Sequence, residues 1–164
     1  MGFLIFWMVL MVLRLAEMGI SKRNDRWLLA RGAVEYGQNH YPYLVGMHVL
    51  FFACLPVEYY FSGYAAFHPW MLVVCMGLYG LRFWVIATLG RFWTTRILRI
   101  PGEPLIRKGP YRFTNHPNYL IVVIEMAAIP AVFGLYDCAL LFFILNGVML
   151  YIRIREENRA LRAV

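Results

Sequence analysis

Cysteine is scarce in this chain: three residues in 164, Cys54, Cys75 and Cys138. The odd count and the lack of any CxxC point away from a disulfide framework and from a zinc centre. All three lie in or beside apolar stretches and read as small buried hydrophobes. No cluster of residues spaced as metal ligands is present. No G-x-G-x-x-G follows a strand, which excludes a Rossmann cofactor site. Linkers, low-complexity runs and internal repeats are missing too, so residues 1–164 read as one domain.

What is abundant is apolar surface. The chain is 62% hydrophobic and 17% aromatic, above the roughly 45–50% apolar share of soluble domains. Five apolar stretches, 3–18, 42–61, 70–89, 119–133 and 139–152, approach the ~20 residues needed to cross a bilayer as helix. The expected fold is an all-α integral membrane protein of about five transmembrane helices. A soluble five-helix core is the competing reading, but buried helices are rarely this apolar all round. The first stretch lacks a basic leader and a small-residue cleavage site, so it reads as an uncleaved anchor.

Charge placement supports the membrane reading. Lys22, Arg23, Arg26 and Arg31 follow the first stretch, and Arg91, Arg96, Arg99, Arg107, Lys108 and Arg112 separate the third from the fourth. Arg153, Arg155, Arg159 and Arg162 follow the fifth. The turns at 62–68 and 134–137 carry no Lys or Arg. The positive-inside rule then puts the N-terminus outside and the C-terminus in the cytoplasm, with the bacterial inner (plasma) membrane as the expected location. The net charge of +7 is mostly this topology signal. These cations flank spans instead of forming a basic face, so nucleic acid is not an expected partner.

Ionisable residues inside the spans are expensive unless paired. Arg82 and Glu125 would each sit roughly 10–12 Å from the cytoplasmic helix ends at 1.5 Å per residue, and a contact between them is expected. Arg14 and Glu17, three apart, should pair on their own helix. His48 and Glu58 share the second span, too far apart to meet.

The polar material falls in blocks at 21–40, 90–118 and 153–164, all on the cytoplasmic side by the charge argument. Residues 109–119, GPYRFTNHPNY, are the densest. His116-Pro117 begins the fourth helix, since proline is pre-organised for the first helical position. The free N–H groups there form a positive end suited to an anion. Tyr111 and Tyr119 offer ring faces to a cation. Residues 103–106 read as an extended, strand-like piece, because Gly102 and Pro104 break any helix. Trp93 and Phe92 suit the headgroup zone. Arg153 and Glu157 are four apart and share a helix face.

Together, LGRFWT, EPLIRKGPYRFTNHPNY and RIREENRAL resemble the isoprenylcysteine carboxyl methyltransferase family, over about residues 78–161. SKRN at 21–24 and EYGQNHYP at 35–42 look like its bacterial branch, some members of which accompany type III polyketide synthases. The resemblance implies an integral membrane O-methyltransferase using S-adenosylmethionine and releasing S-adenosylhomocysteine. Its non-Rossmann cofactor pocket would lie at the cytoplasmic face. It assigns cofactor contacts to Glu103, Pro104, Leu105 and Ile106, to Tyr111, to His116, Pro117, Asn118 and Tyr119, and to Glu157. Arg153 would anchor the substrate, and Arg153 and Glu157 together would carry catalysis. Arg96 falls near a polar cofactor contact. Asn115 stands where an arginine is usual, Leu120 precedes Ile121 where glycine is common, and Glu156 is the alternative to Glu157.

The acceptor implied is lipophilic, either a prenylcysteine carboxylate or a polyketide-derived alkylpyrone or alkylresorcinol hydroxyl. A carboxylate is already ionised at neutral pH and needs positioning more than a base. A hydroxyl would also need its proton removed, and His116 or Glu156 are the candidates. The rival from another class is a non-catalytic membrane scaffold or transport subunit that keeps the fold. A transporter, however, would more often carry matched polar breaks near the midplane.

Overall fold

The computed structural model describes residues 1–63 and 66–162, with side chains to residue 160. The middle of the 62–68 turn and the Arg162 charge lie outside the described residues. Five helices form: α1 (Gly2–Leu29), α2 (Tyr41–Phe61), α3 (Pro69–Leu89), α4 (Pro117–Ala131) and α5 (Tyr136–Arg162). Two three-residue strands, β1 (Val34–Tyr36) and β2 (Ile97–Arg99), pair antiparallel with Val34 opposite Arg99 and Tyr36 opposite Ile97. Helix therefore dominates the described residues, and this small clasp is the sheet among them. The strand-like piece expected at residues 103–106 does not form; they take no regular secondary structure, and the strand lies just before them, at 97–99.

The helix ends follow local chemistry. Pro69 and Pro117 open α3 and α4 at the first helical position, where a missing N–H costs nothing. α1 ends in a paired motif: Gly32 N–H bonds Leu29 O at 3.1 Å and Ala33 N–H bonds Leu28 O at 3.1 Å. Gly32, at φ 81°, takes the left-handed position this ending requires. α4 ends the same way, with Gly134 N–H on Ala131 O at 3.3 Å and Leu135 N–H on Pro130 O at 3.1 Å. The next helix is capped from outside its own segment. The Glu58 carboxylate at the end of α2 accepts the N–H groups of Asp137 (3.1 Å) and Cys138 (2.8 Å).

α1, α2, α3 and α5 are long and apolar enough to cross a membrane; α4 is a shorter apolar helix. Its fifteen residues reach about 22 Å, less than the ~30 Å hydrocarbon core. α1 and α5 overrun their apolar stretches, α1 to Leu29 and α5 from Tyr136 to Arg162. The polar residues after 18 and after 152 therefore project from the bilayer on continuous helices. Leu4, Val12, Phe83, Leu140 and Tyr151 point outward, as lipid-facing side chains do. The core lies where α2, α3, α4 and α5 meet, around Phe51, Leu55, Val85, Met126 and Ile129. The start of α1 joins it through Phe3, stacked on Tyr59 at 4.0 Å and edge-on to Phe133.

The expected Arg82–Glu125 contact forms and is part of a larger cluster. Arg82 Nε donates to Glu125 Oε1 at 3.0 Å, and its Nη2 reaches the same carboxylate. Arg14 Nη2 donates to Glu125 Oε2 at 2.6 Å while its Nη1 holds Glu17 at 2.8 Å. Glu17 is also 3.4 Å from Arg82. Two cations and two anions thus tie α1, α3 and α4 together with no net charge. His48 bonds its own helix, Nδ1 to Leu44 O at 2.9 Å.

Candidate active site

The connector after α3 is fixed by the projecting end of α1. Asn24 Nδ2 donates to Gly90 O (3.1 Å) and Trp93 O (2.7 Å). Ser21 Oγ accepts the Thr95 N–H at 2.9 Å, and Thr94 bonds Asp25. Ser21 and Asn24 are both buried, so their polar groups are spent on holding this strip. Trp93 is consequently 3% exposed and sits inside the protein, not in the headgroup zone. Arg96 Nη1 donates to both Glu35 carboxylate oxygens at 3.0 and 3.1 Å, with its guanidinium 5.0 Å from the Tyr41 ring centre. Downstream, a tight turn at Gly109–Arg112 packs on α3. A Cβ on Gly109 would lie 2.5 Å from Thr88 Oγ1, and φ there is 52°. Only glycine fits that close approach.

α4 and α5 then bring the polar residues together. The Tyr119 hydroxyl donates to Glu157 and accepts from Arg153 Nε at 2.8 Å. Arg153 Nη2 donates to Thr95 O at 2.7 Å. His116 Nδ1 lies 3.5 Å from Glu157 Oε2, and its ring stacks on Tyr119 with centres 5.1 Å apart. The bond to Glu157 raises the His116 pKa above its ordinary value, against the effect of burial. Burial pushes the Tyr111 phenol well up, so it stays neutral. Glu156 turns away and pairs with Arg159 at 2.6 Å.

Two cavities meet at this group. One, of about 260 Å³, lies between the connector, residues 103–107 and the facing ends of α4 and α5. Glu103, Pro104, Leu105, Ile106, Tyr111, His116, Asn118, Tyr119, Arg153 and Glu157 all line it, as do Arg96 and Asn115. Pro117 does not; it is buried and starts α4. The second cavity, of about 420 Å³, runs between α1, α2, α4 and α5 among Trp7, Met11, Val45, Phe52, Val122 and Leu150. Trp93, Asn118, Tyr119 and Arg153 line both. Asn118 Oδ1 is buried at this shared wall without a hydrogen-bond partner among the described residues.

Sequence reasoning missed Trp93, Thr95 and Tyr41 as wall residues. Their positions depend on how α1 grips the connector, and the only local signal was the adjacent Thr94-Thr95 pair in an otherwise aromatic and basic segment.

The family model for the isoprenylcysteine carboxyl methyltransferase (ICMT) family matches residues 70–163, from the start of α3 to the end of α5. The chain belongs to that family. Members of the ICMT family are membrane methyltransferases, and the match spans most of the residues around the shared wall. Two bacterial relatives extend the likeness over the first two helices. The Bacillus subtilis protein YpbQ is 38% identical over 162 residues, covering 96% of each chain. A Haemophilus influenzae protein is 26% identical over 160 residues, covering 93% of this chain and 90% of the other. Both bear the name "uncharacterized protein". No solved structure matches this chain.

Proposed function

We propose that this ICMT-family chain is an S-adenosylmethionine-dependent O-methyltransferase. In this reading the cofactor enters from the cytoplasm and a lipophilic acceptor enters from the bilayer. The supporting observation is the wall shared by a polar cavity and an apolar one, at Trp93, Asn118, Tyr119 and Arg153. A reaction between a polar donor and a greasy acceptor needs such a junction, because most of the rate gain comes from alignment of the reacting atoms.

The residues present suit the cofactor. Glu157 supplies negative charge for its cationic part, beside the ring faces of His116 and Tyr119. Arg99 and Arg107 line the same cavity and suit a carboxylate. Leu105 and Ile106 offer backbone N–H and C=O groups not used in a strand, Pro104 its C=O, and Glu103, whose own backbone bonds Ile100 and Arg99, its side chain. The unpartnered Asn118 Oδ1 is an acceptor waiting for a donor, as buried polar atoms rarely go without one. When bound, S-adenosylmethionine supplies an electrophilic methyl group on a sulfonium centre.

The chain's own part is positioning. Arg153 spends Nε on Tyr119 and Nη2 on Thr95, and among the described residues Nη1 is left to hold the acceptor oxygen. Tyr119, held between Arg153 and Glu157, couples the two binding groups in one rigid unit. Buried Trp93 keeps water from the junction. A carboxylate acceptor, as in prenylcysteine, needs nothing more. A phenolic or enolic acceptor also needs a base, and His116 is the group at hand.

Calorimetry with S-adenosylhomocysteine on detergent-purified protein tests this reading, together with transfer of labelled methyl to lipid extracts. Glu157→Gln should weaken binding by about tenfold or more, the order of one charge-assisted hydrogen bond. Glu156→Gln should leave it unchanged. If the unmodified protein does not bind S-adenosylhomocysteine, a non-catalytic scaffold is the better reading.

A further inference from the structure

The apolar cavity contains a polar shelf that the proposed chemistry does not use. Asn146 is completely buried on α5, and neither its Oδ1 nor its Nδ2 has a hydrogen-bond partner among the described residues. It lines the apolar cavity. Arg14 Nε, on another wall of the same cavity, is also buried and unpartnered. Leaving a buried amide without partners is costly, and here donor and acceptor are orphaned together. Burying them beside a groove whose wall is mostly apolar makes sense if something polar comes to meet them.

Their depth is defined. Asn146 precedes Arg153 by seven residues on α5, about 10 Å along the helix. The two are two turns apart and face the same cavity, with Leu150 between them. On α4, Glu125 lies six residues beyond Tyr119, about 9 Å. Because Tyr119 is bonded to Arg153, Asn146 sits level with the Arg14–Glu17–Arg82–Glu125 cluster. The charges of that cluster balance; among the described residues that line the cavity, the hydrogen-bonding capacity left over near this depth includes the Asn146 amide, the Arg14 Nε–H and His48 Nε2.

We propose that the cavity selects an acceptor with two polar groups: the oxygen to be methylated, at Arg153, and a neutral hydroxyl or carbonyl about 10 Å further down its chain, read by Asn146 and Arg14. The inference rests on the methyltransferase reading for the role of the first group only. A hydroxyl suits the Asn146 amide best, because it can both donate to its Oδ1 and accept from its Nδ2. A charged second group is disfavoured, because the neighbouring charges already balance. A plain alkyl tail fits the apolar walls but leaves both side chains unsatisfied.

The probes are octadecanoic acid and its analogue with one mid-chain hydroxyl, whose carboxylates stand in for the acceptor oxygen. Binding is followed by the fluorescence of cavity-lining Trp7 and Trp93 in detergent-purified protein. The hydroxylated acid should bind about tenfold tighter, the order of one buried hydrogen bond. Asn146→Leu should abolish the difference, and Asn146→Gln should restore part of it. S-adenosylhomocysteine binding is measured on every sample, and its retention shows that each variant is folded. Equal affinity of the unmodified protein for both probes overturns the subsite and leaves a water-filled pocket. So does a difference that survives in Asn146→Leu. Discrimination without S-adenosylhomocysteine binding supports the subsite while removing the methyltransferase reading.

Discussion

At the scale of single residues, the site is a chain of short contacts in which each group orients the next. His116 and Arg153 both meet the Glu157–Tyr119 pair, so one carboxylate and one phenol orient an imidazole and a guanidinium. The His116 pKa is raised by its bond to Glu157, which sets a pH dependence with a definite sign. Below the unfolded value of about 6.5, His116 is charged in both states and the pair contributes fully to stability. As pH rises through the higher folded value the proton leaves and that contribution is lost. The thermal midpoint of the unmodified protein should therefore exceed that of His116→Asn most on the acidic side, with the gap closing as pH becomes alkaline. A gap that does not change with pH would mean the pair is not charged. Several of these residues stood out in the sequence. Glu157 could not be separated from Glu156 there, because neighbours on a helix differ only in the direction they face. Packing against α4 turns Glu157 inward and leaves Glu156 to Arg159.

At the scale of elements, the buried ion cluster does what local propensity cannot: it sets the relative height of three helices. The separate expectations of an Arg14–Glu17 pair and an Arg82–Glu125 pair were right in their partners. What the sequence hid is that Arg14 crosses to Glu125 and merges the two pairs. Removing one member leaves charge uncompensated in a medium that cannot solvate it. Arg82→Met should destabilise the protein by up to about 3–5 kcal/mol, and less to the extent that Arg14 compensates. Joint replacement with Glu125→Met should cost less than the sum of the two single changes. Thermal denaturation of the four proteins of that cycle in detergent gives the coupling, and strict additivity would remove the cluster's role in register. The clasp between β1 and β2 is another element the composition did not announce. Three-residue strands carry too short a pattern to stand out, and these form because Ser21 and Asn24 hold the connector in place.

At the scale of the whole molecule, the three polar blocks converge at one end. β1 pairs with β2, Asn24 holds Trp93, and Arg153 reaches Thr95. The opposite end has short connections and the Glu58 cap. From the charge pattern we propose that the polar end faces the cytoplasm. A membrane-impermeant thiol reagent on intact cells tests this. Tyr136→Cys, at an exposed position of the opposite end, should label directly. Thr114→Cys, exposed at the polar end, should label only after permeabilisation. The reverse pattern would invert the protein and place the cofactor cavity outside.

Likeness to the family named about half of the residues that line the polar cavity. The sequence by itself determined the membrane class, the approximate spans and the helix starts at proline. Those features depend on local chemistry: apolar length, backbone restriction and the clustering of ionisable groups. The shortness of α4 was already legible in the 119–133 stretch, but only the tertiary structure decided that Trp93 is buried between two cavities and that Asn146 has no hydrogen-bond partner among the described residues. Each of these depends on which faces meet after the helices pack, and a pattern read along one chain does not contain the contacts between faces.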